Sequence, residues 1–231
     1  MSDLGLDNKS HALVIVAHPD DELIWMGGTI LMYPDAKWTI VSLCRGSDSD
    51  RAPKFKKVCS HLGARGVIHD MEDEGVMNIR DSVPVMRRVL LSMLSSKFYN
   101  EIATPSDVHR GARNDGRGGF THVFTHGYNG EYGHPRHKGV YRAVKKMVDI
   151  GELKADRLFY FAYEFPERAF VPRAKKSADI YINLSKDIHN EKKRIVNELY
   201  GFTKQSFEFE SCGRVEAFSC GNYKSKITNP K

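Results

Sequence analysis

Nowhere in these 231 residues does an apolar run approach the roughly 18 residues that a membrane-spanning helix needs. The opening residues, Met1-Ser2-Asp3-Leu4-Gly5-Leu6-Asp7, carry neither the basic start nor the apolar stretch of a secretory signal. Cysteine is scarce. The four, at 44, 59, 212 and 220, form no Cys-x-x-Cys pair and read as reduced thiols, although Cys212 and Cys220 lie close enough in sequence to leave a disulfide open. These absences predict a cytoplasmic protein. No Gly-x-Gly-x-x-Gly follows the first apolar run and no P-loop is present, so dinucleotide and nucleoside triphosphate sites lose their main support. With no internal repeat and no dividing linker, residues 1–231 read as one domain.

Basic residues form no long block. The net charge of +6 permits anionic partners without requiring them. Arg110, Arg113 and Arg117 fall in the glycine-rich stretch 110–119, which has no flanking aromatic platform for bases. It reads as a flexible surface loop and a plausible lid rather than an RNA-binding segment, so no nucleic-acid partner is expected. The hydrophobic share of 41% and charged share of 28% are those of an ordinary globular protein. A chain this long buries on the order of 70% of its unfolded surface without staples.

Short β-branched apolar runs at 12–17, 38–43, 66–69, 122–125 and 157–161 alternate with helical patterns near 22–33, 53–63, 82–98, 137–150 and 187–203. That alternation predicts an α/β, Rossmann-like three-layer fold with a mostly parallel sheet. Val85, Val89, Leu90 and Met93 make a core-facing helical stripe. Gly27 and Gly28, poor helix formers, predict close packing of the first helix against a strand. Residues 164–177, with Pro166 and Pro172, read as a long surface connection.

The most informative segment is Ala17-His18-Pro19-Asp20-Asp21-Glu22, directly after the first apolar run. In open α/β sheets ligands bind beyond the carboxyl ends of the strands. His18 and Asp21, three apart, can aim at one point from a turn that opens into a helix, and such a ligand pair suits zinc or another divalent first-row ion. Alone, the acidic pair is equally a helix N-cap with acid in its first turn. What shifts the balance is Thr125-His126-Gly127-Tyr128-Asn129-Gly130-Glu131-Tyr132-Gly133-His134-Pro135-Arg136-His137, again between a strand and a helix. Four of the ten histidines, 122, 126, 134 and 137, fall within sixteen residues. One imidazole of this loop would complete a three-ligand site with a position left for water. His122 reads as structural and His126 as a pocket wall.

The two motifs together resemble those of the LmbE-like, or PIG-L, family of zinc-dependent N-acetylglucosaminyl deacetylases, with weaker similarity at Arg51, Leu62-Gly63, Asp73-Glu74-Gly75, Asn183, Lys192 and Gln205. The resemblance implies one zinc per subunit, with other divalent first-row metals also suited, on His18, Asp21 and His137. It implies Asp20 as general base, Tyr132 holding the substrate carbonyl and His134 as acid or electrostatic catalyst. Arg51 and Asp73 would contact substrate. His126 and Asn129, in the downstream loop, are further candidates for lining the substrate pocket. Glu22 would support the turn. The family often has an acidic residue where this chain has Arg136, which puts the acid role of His134 in question. The implied partner is a small glycoside, oligosaccharide or lipid-linked sugar carrying N-acetylglucosamine. The oligomeric state, a homo-oligomer included, is left open. The competing readings are a metal-dependent phosphoesterase and a noncatalytic sugar- or nucleotide-binding module. The intact Asp20 argues against the second, because a binding site needs no base.

Overall fold

Strand β1 (His11–Val16) feeds both halves of the core, as a central parallel strand must. Leu13 and Ile15 enter one apolar cluster while Ala12, Val14 and Val16 enter the other, following the period of two along the strand. The computed structural model describes residues 3–93 and 119–221. Within them β1 is flanked in parallel by β2 (Lys37–Cys44) and β4 (Phe120–Thr125), and these in turn by β3 (Arg65–Met71) and β5 (Ala155–Phe161). Two later strands, β8 (Ile180–Asn183) and β9 (Val215–Cys220), extend the sheet antiparallel to the order β3-β2-β1-β4-β5-β9-β8.

Helices α1 (Asp21–Met32), α2 (Arg51–His61) and α5 (Lys186–Glu198) cover one face, placing Trp25, Phe55 and Ile195 in its cluster, and the short α6 (Phe207–Ser211) packs Phe209 beside them. Helices α3 (Ile79–Met93) and α4 (Pro135–Asp149) cover the other with Met86, Leu90, Val140 and Val144. The expected three-layer α/β fold is therefore present. Its sheet is mixed, seven-stranded and parallel over five strands. Among the described residues no helix is long and apolar enough to cross a membrane.

The structure departs from the sequence reading at several places. The connection expected at 164–177 carries two short paired strands, β6 (Tyr163–Glu164) and β7 (Arg173–Ala174). Strand β9 went unread because Glu216 interrupts its apolar character. Its carboxylate is fully buried, accepting hydrogen bonds from the Gly28 and Thr29 amides at 2.8 and 2.7 Å and from Lys192 Nζ at 2.6 Å. The same contact explains Gly28, where a Cβ would stand 3.0 Å from Glu216 Oε1 and closer still to Leu184. All four cysteines are free, so the disulfide left open for Cys212 and Cys220 does not form; the Cys212 thiol donates instead to the Glu208 carbonyl. The predicted helical residues 94–98 and nearly all of the loop 110–119 lie outside the described residues.

Candidate metal centre

Strands β1 and β4 are neighbours whose outgoing connections run to opposite faces, β1 into α1 and β4 into α4. Between their carboxyl ends lies the crevice where such sheets bind ligands. Residues 17–21 enter it from β1 and residues 126–137 from β4.

The turn from β1 into α1 is bent sharply at Asp20, whose φ of 113° is unusual for a residue with a Cβ. Such a conformation costs roughly 1–3 kcal/mol and must be held by its surroundings. Glu22 holds it. Its Oε2 accepts the Asp20 amide at 3.1 Å while Oε1 accepts the Tyr200 hydroxyl. Asp20 occupies the N-cap position, yet its side chain makes no capping hydrogen bond. The carboxylate instead accepts from Arg51 Nη1 at 2.8 Å, which removes the N-cap explanation for this residue.

The loop after β4 is organised by Glu131, fully buried and itself at φ 56° between Gly130 and Gly133, both also at positive φ. Glu131 Oε1 accepts the Gly127 amide at 2.7 Å, and Oε2 faces the Nδ1 atoms of His126 at 2.8 Å and His137 at 2.6 Å. Burial opposes its charge, but the two imidazoles hold the carboxyl down at about 2. His134 ends the loop as the N-cap of α4, its Nδ1 accepting the Arg136 amide at 3.2 Å, with Pro135 at the first helical position.

Three donor atoms converge. His18 Nδ1 stands 3.2 Å from Asp21 Oδ2, His137 Nε2 stands 3.3 Å from the same oxygen, and the two ring nitrogens are 3.3 Å apart. Donors about 2.0 Å from one tetrahedral ion are about 3.3 Å from each other, so the triangle matches one face of a zinc coordination shell. The two imidazole–Asp21 contacts are also hydrogen-bonding distances, whereas the approach of the two ring nitrogens to each other is the geometry that a shared ion explains. The outer nitrogen of each imidazole already faces a carboxylate, His18 Nε2 on Asp73 at 2.8 Å and His137 Nδ1 on Glu131. With a metal ion bound, each would donate there, leaving two lone pairs aimed at one point beside a carboxylate oxygen. This carboxylate–imidazole pairing fixes the tautomer that a metal ligand needs. Asp21 is itself oriented by the Trp25 indole N–H at 2.9 Å and the His18 amide at 2.9 Å.

Two neighbouring clusters fit a metal less well. His126 joins Asp21 and His137 in one, but its Nε2 already accepts the Ala17 amide at 3.0 Å and its Nδ1 faces Glu131. Cys44 joins His18 and Asp73 in another, and burial pushes its thiol up to about 12.

A cavity of about 210 Å³ opens over the triangle, lined among others by Asp20, Arg51, Asp73, Tyr132 and His134. The structure thus gathers most of the residues singled out from sequence. It places two elsewhere. His126 is fully buried beneath the site, stacked 3.8 Å from the His137 ring, and Asn129 spends its amide on the Tyr163 carbonyl and Lys175. Arg136 is buried too, but its guanidinium turns to Glu72 and the Met77 carbonyl, so it touches His134 only through the backbone amide. Sequence reasoning assigned no role to Glu131, Trp25 or Arg45, although Glu131 stood inside the motif. Arg45 grips Asp73 at 2.9 Å from the rim.

The pocket holds ionisable groups driven in opposite directions. Burial and then the adjacent Asp21 charge push the Asp20 carboxyl well up, whereas His137 and His126 overcome burial to hold Asp21 well down. Burial, then His137 and His18, push His134 down to about 4. Burial also raises the Tyr132 hydroxyl, keeping it a donor.

Fold and crevice together define the class: a doubly wound α/β domain with a mixed imidazole–carboxylate cluster at its topological switch point. The chain belongs to the PIG-L family, whose family model, described as GlcNAc-PI de-N-acetylase, matches residues 13–148. An uncharacterised protein of Acanthamoeba polyphaga mimivirus is 24% identical over 207 residues, 82% of this chain and 79% of that protein. Among solved structures, the conserved protein TT1542 of Thermus thermophilus aligns over 91% of this chain and 94% of its own, with a TM-score of 0.60 and 16% identity. The antimicrobial pseudoaglycone deacetylase Dbv21 aligns over 91% and 96%, with a TM-score of 0.60 and 15% identity. The 4-carboxy-2-hydroxymuconate hydratase GalB of Pseudomonas putida aligns over 96% and 99%, with a TM-score of 0.60 and 13% identity. At these identities the likeness is one of fold.

Proposed function

We propose that this protein is a zinc-dependent hydrolase that removes the N-acetyl group from a substrate containing N-acetylglucosamine, releasing acetate and a free amine. The observation that carries the reading is the triangle of His18 Nδ1, Asp21 Oδ2 and His137 Nε2, with both imidazoles turned by Asp73 and Glu131. Family membership supports the amide substrate, and the small polar cavity over the triangle suits a sugar. Four free thiols suit a reducing compartment, and we place the protein in the cytoplasm.

A divalent ion on His18, Asp21 and His137 would polarise the amide carbonyl and bring the pKa of a water from 15.7 to about 7. Asp20, on the cavity wall and not part of the triangle, is placed to take a proton from a water in the cavity, with Arg51 fixing its carboxylate. His134 has its Nδ1 lone pair committed to the Arg136 amide, so its Nε2 carries the hydrogen of a neutral ring. It therefore serves as a hydrogen-bond donor to the developing oxyanion. Tyr132 is a second donor on the same cavity, and such donors are worth about 3–4 kcal/mol each in measured cases. With His134 neutral, Asp20 returns its proton to the leaving amine. Arg51 and Asp73 line the cavity where the sugar hydroxyls would lie.

The test is acetate release from methyl N-acetylglucosaminide, abolished by chelation and restored by zinc. Zinc-loaded protein that releases no acetate from any N-acetylglucosamine compound would overturn the reading in favour of a binding module, and release of phosphate from sugar phosphates would favour a phosphoesterase. Because the hydratase GalB shares this fold, a screen of unsaturated acids for hydration belongs in the same experiment.

A further inference from the structure

Asp20 is held at two points, and both lead back to one short segment. Its amide donates to Glu22 Oε2, and Glu22 Oε1 accepts the Tyr200 hydroxyl. Its carboxylate accepts from Arg51 Nη1, and the Arg51 guanidinium lies 4.4 Å from the centre of the Phe202 ring. Tyr200 and Phe202 are separated only by Gly201, whose φ of 82° turns the chain just past the end of α5. The turn is itself fastened. The amides of Tyr200 and Phe202 donate to the Ile195 and Val196 carbonyls at 3.2 Å each, and Asn197 Nδ2 donates to the Phe202 carbonyl at 2.6 Å. Tyr200 is buried, so its hydroxyl and the fully buried Glu22 carboxylate have no ready exchange with water. The face of Phe202 attracts the Arg51 cation and limits where it can stand. Neither residue lines the cavity, and both lie beyond residues 13–148, which the family model matches.

We propose that Tyr200 and Phe202 are positioning residues for Asp20. Tyr200 sets the backbone of the strained turn through Glu22, and Phe202 sets the carboxylate through Arg51. The inference rests on Asp20 as the base of the hydrolysis proposed above and adds what aims that base. The φ of 113° is the reason a prop is needed, because a residue with a Cβ leaves this conformation unless its surroundings hold it. A base must lie within hydrogen-bond reach of the proton it takes, and a misplacement of about 1 Å can cost about 10²-fold in rate. The turn that ends α5 thus acts on the reaction without touching the substrate.

The test pairs turnover of methyl N-acetylglucosaminide by the zinc-loaded protein with hydrogen exchange at the Asp20 amide. Tyr200→Phe removes one hydroxyl and should lower kcat about 10–100-fold, with KM within about threefold and zinc at full stoichiometry. In the same variant the Asp20 amide should exchange about tenfold faster, while the Val14 and Ile15 amides of β1, which report global opening, keep their rates. Phe202 is only half-buried, so its variants keep the proposal open to refutation if Tyr200→Phe fails to fold. Phe202→Leu should lower kcat as well, and Phe202→Tyr, which restores an aromatic face to Arg51, should recover it. Leu90→Ala, which opens a hole on the opposite face of the sheet, controls for lost stability and should leave kcat unchanged. Turnover within about twofold of wild type in Tyr200→Phe, an unchanged Asp20 exchange rate, or an equal kcat loss in Leu90→Ala would overturn the proposal. Wild-type protein that releases no acetate would remove the hydrolase reading instead, and exchange at Asp20 would then decide the positioning by itself.

Discussion

Glu131 offers the sharpest perturbation, because three hydrogen bonds converge on one buried carboxylate. Oε1 takes the Gly127 amide, and Oε2 takes the Nδ1–H of His126 and His137. In Glu131→Gln one oxygen becomes an NH2 group. Whichever way the amide is turned, that group meets at least one existing N–H donor. If it faces His137, the ring must accept at Nδ1 and carry its hydrogen on Nε2, the atom 3.3 Å from Asp21 Oδ2. The lone pair that a metal needs is then gone. If it faces Gly127, a buried amide loses its acceptor at about 1–3 kcal/mol. Partners of this kind are typically worth 10–100-fold in metal affinity, about 1.4–2.7 kcal/mol. Glutamine tolerates φ 56° no worse than glutamate, so backbone strain is unchanged. Zinc affinity measured by competition with a chromophoric chelator should fall by that 10–100-fold, and urea unfolding of the zinc-free protein should report a loss of no more than about 3 kcal/mol. A variant that binds zinc within threefold of wild type would refute the assignment of Glu131 as the group that turns His137.

Three further outcomes are expected. Asp20→Asn, which accepts positive φ readily, should keep zinc at full stoichiometry and lose about 10²–10⁴ in turnover; loss of the metal by elemental analysis would end the division of roles between Asp20 and Asp21. Lys192→Met strips the counter-charge from the fully buried Glu216 and should cost about 3–5 kcal/mol in urea unfolding, whereas a cost under about 1 kcal/mol would mean that the Gly28 and Thr29 amides and the Thr29 hydroxyl satisfy Glu216 without the ammonium group. On the surface, hydrogen bonds from Arg194, followed by His61, hold Glu191 down at about 2 against an ordinary value of 4.5. Its folded pKa is depressed, so its contribution is complete above about pH 4.5 and lost as pH falls towards 2. Solvent limits such pairs to about 0.5 kcal/mol, and Glu191→Gln should flatten the acid limb of stability by no more than that.

The alternation of short apolar runs with helical stripes was enough to specify five parallel strands; β1 and β2, covered on both faces, carry the near-continuous apolar runs, while β3, β4 and β5 were marked by shorter ones. The same logic placed residues 17–22 and 125–137 at strand ends, where a parallel sheet gathers its ligands. Strand β9 was illegible for a reason that lies in three dimensions. A glutamate reads as exposed until α1 and α5 bring two amides and an ammonium group to it. The roles of the site residues divide along the same line. Residue type and spacing singled out His18, Asp21 and the histidine-rich loop, since imidazole and carboxylate are the groups that chemistry of this kind requires. Only the packed structure turned the rings: Asp73 reaches His18 across 55 positions in sequence, and Glu131 bends back upon both His126 and His137. Whether an imidazole offers a lone pair or a proton depends on what its second nitrogen meets, and that partner is chosen by tertiary contact.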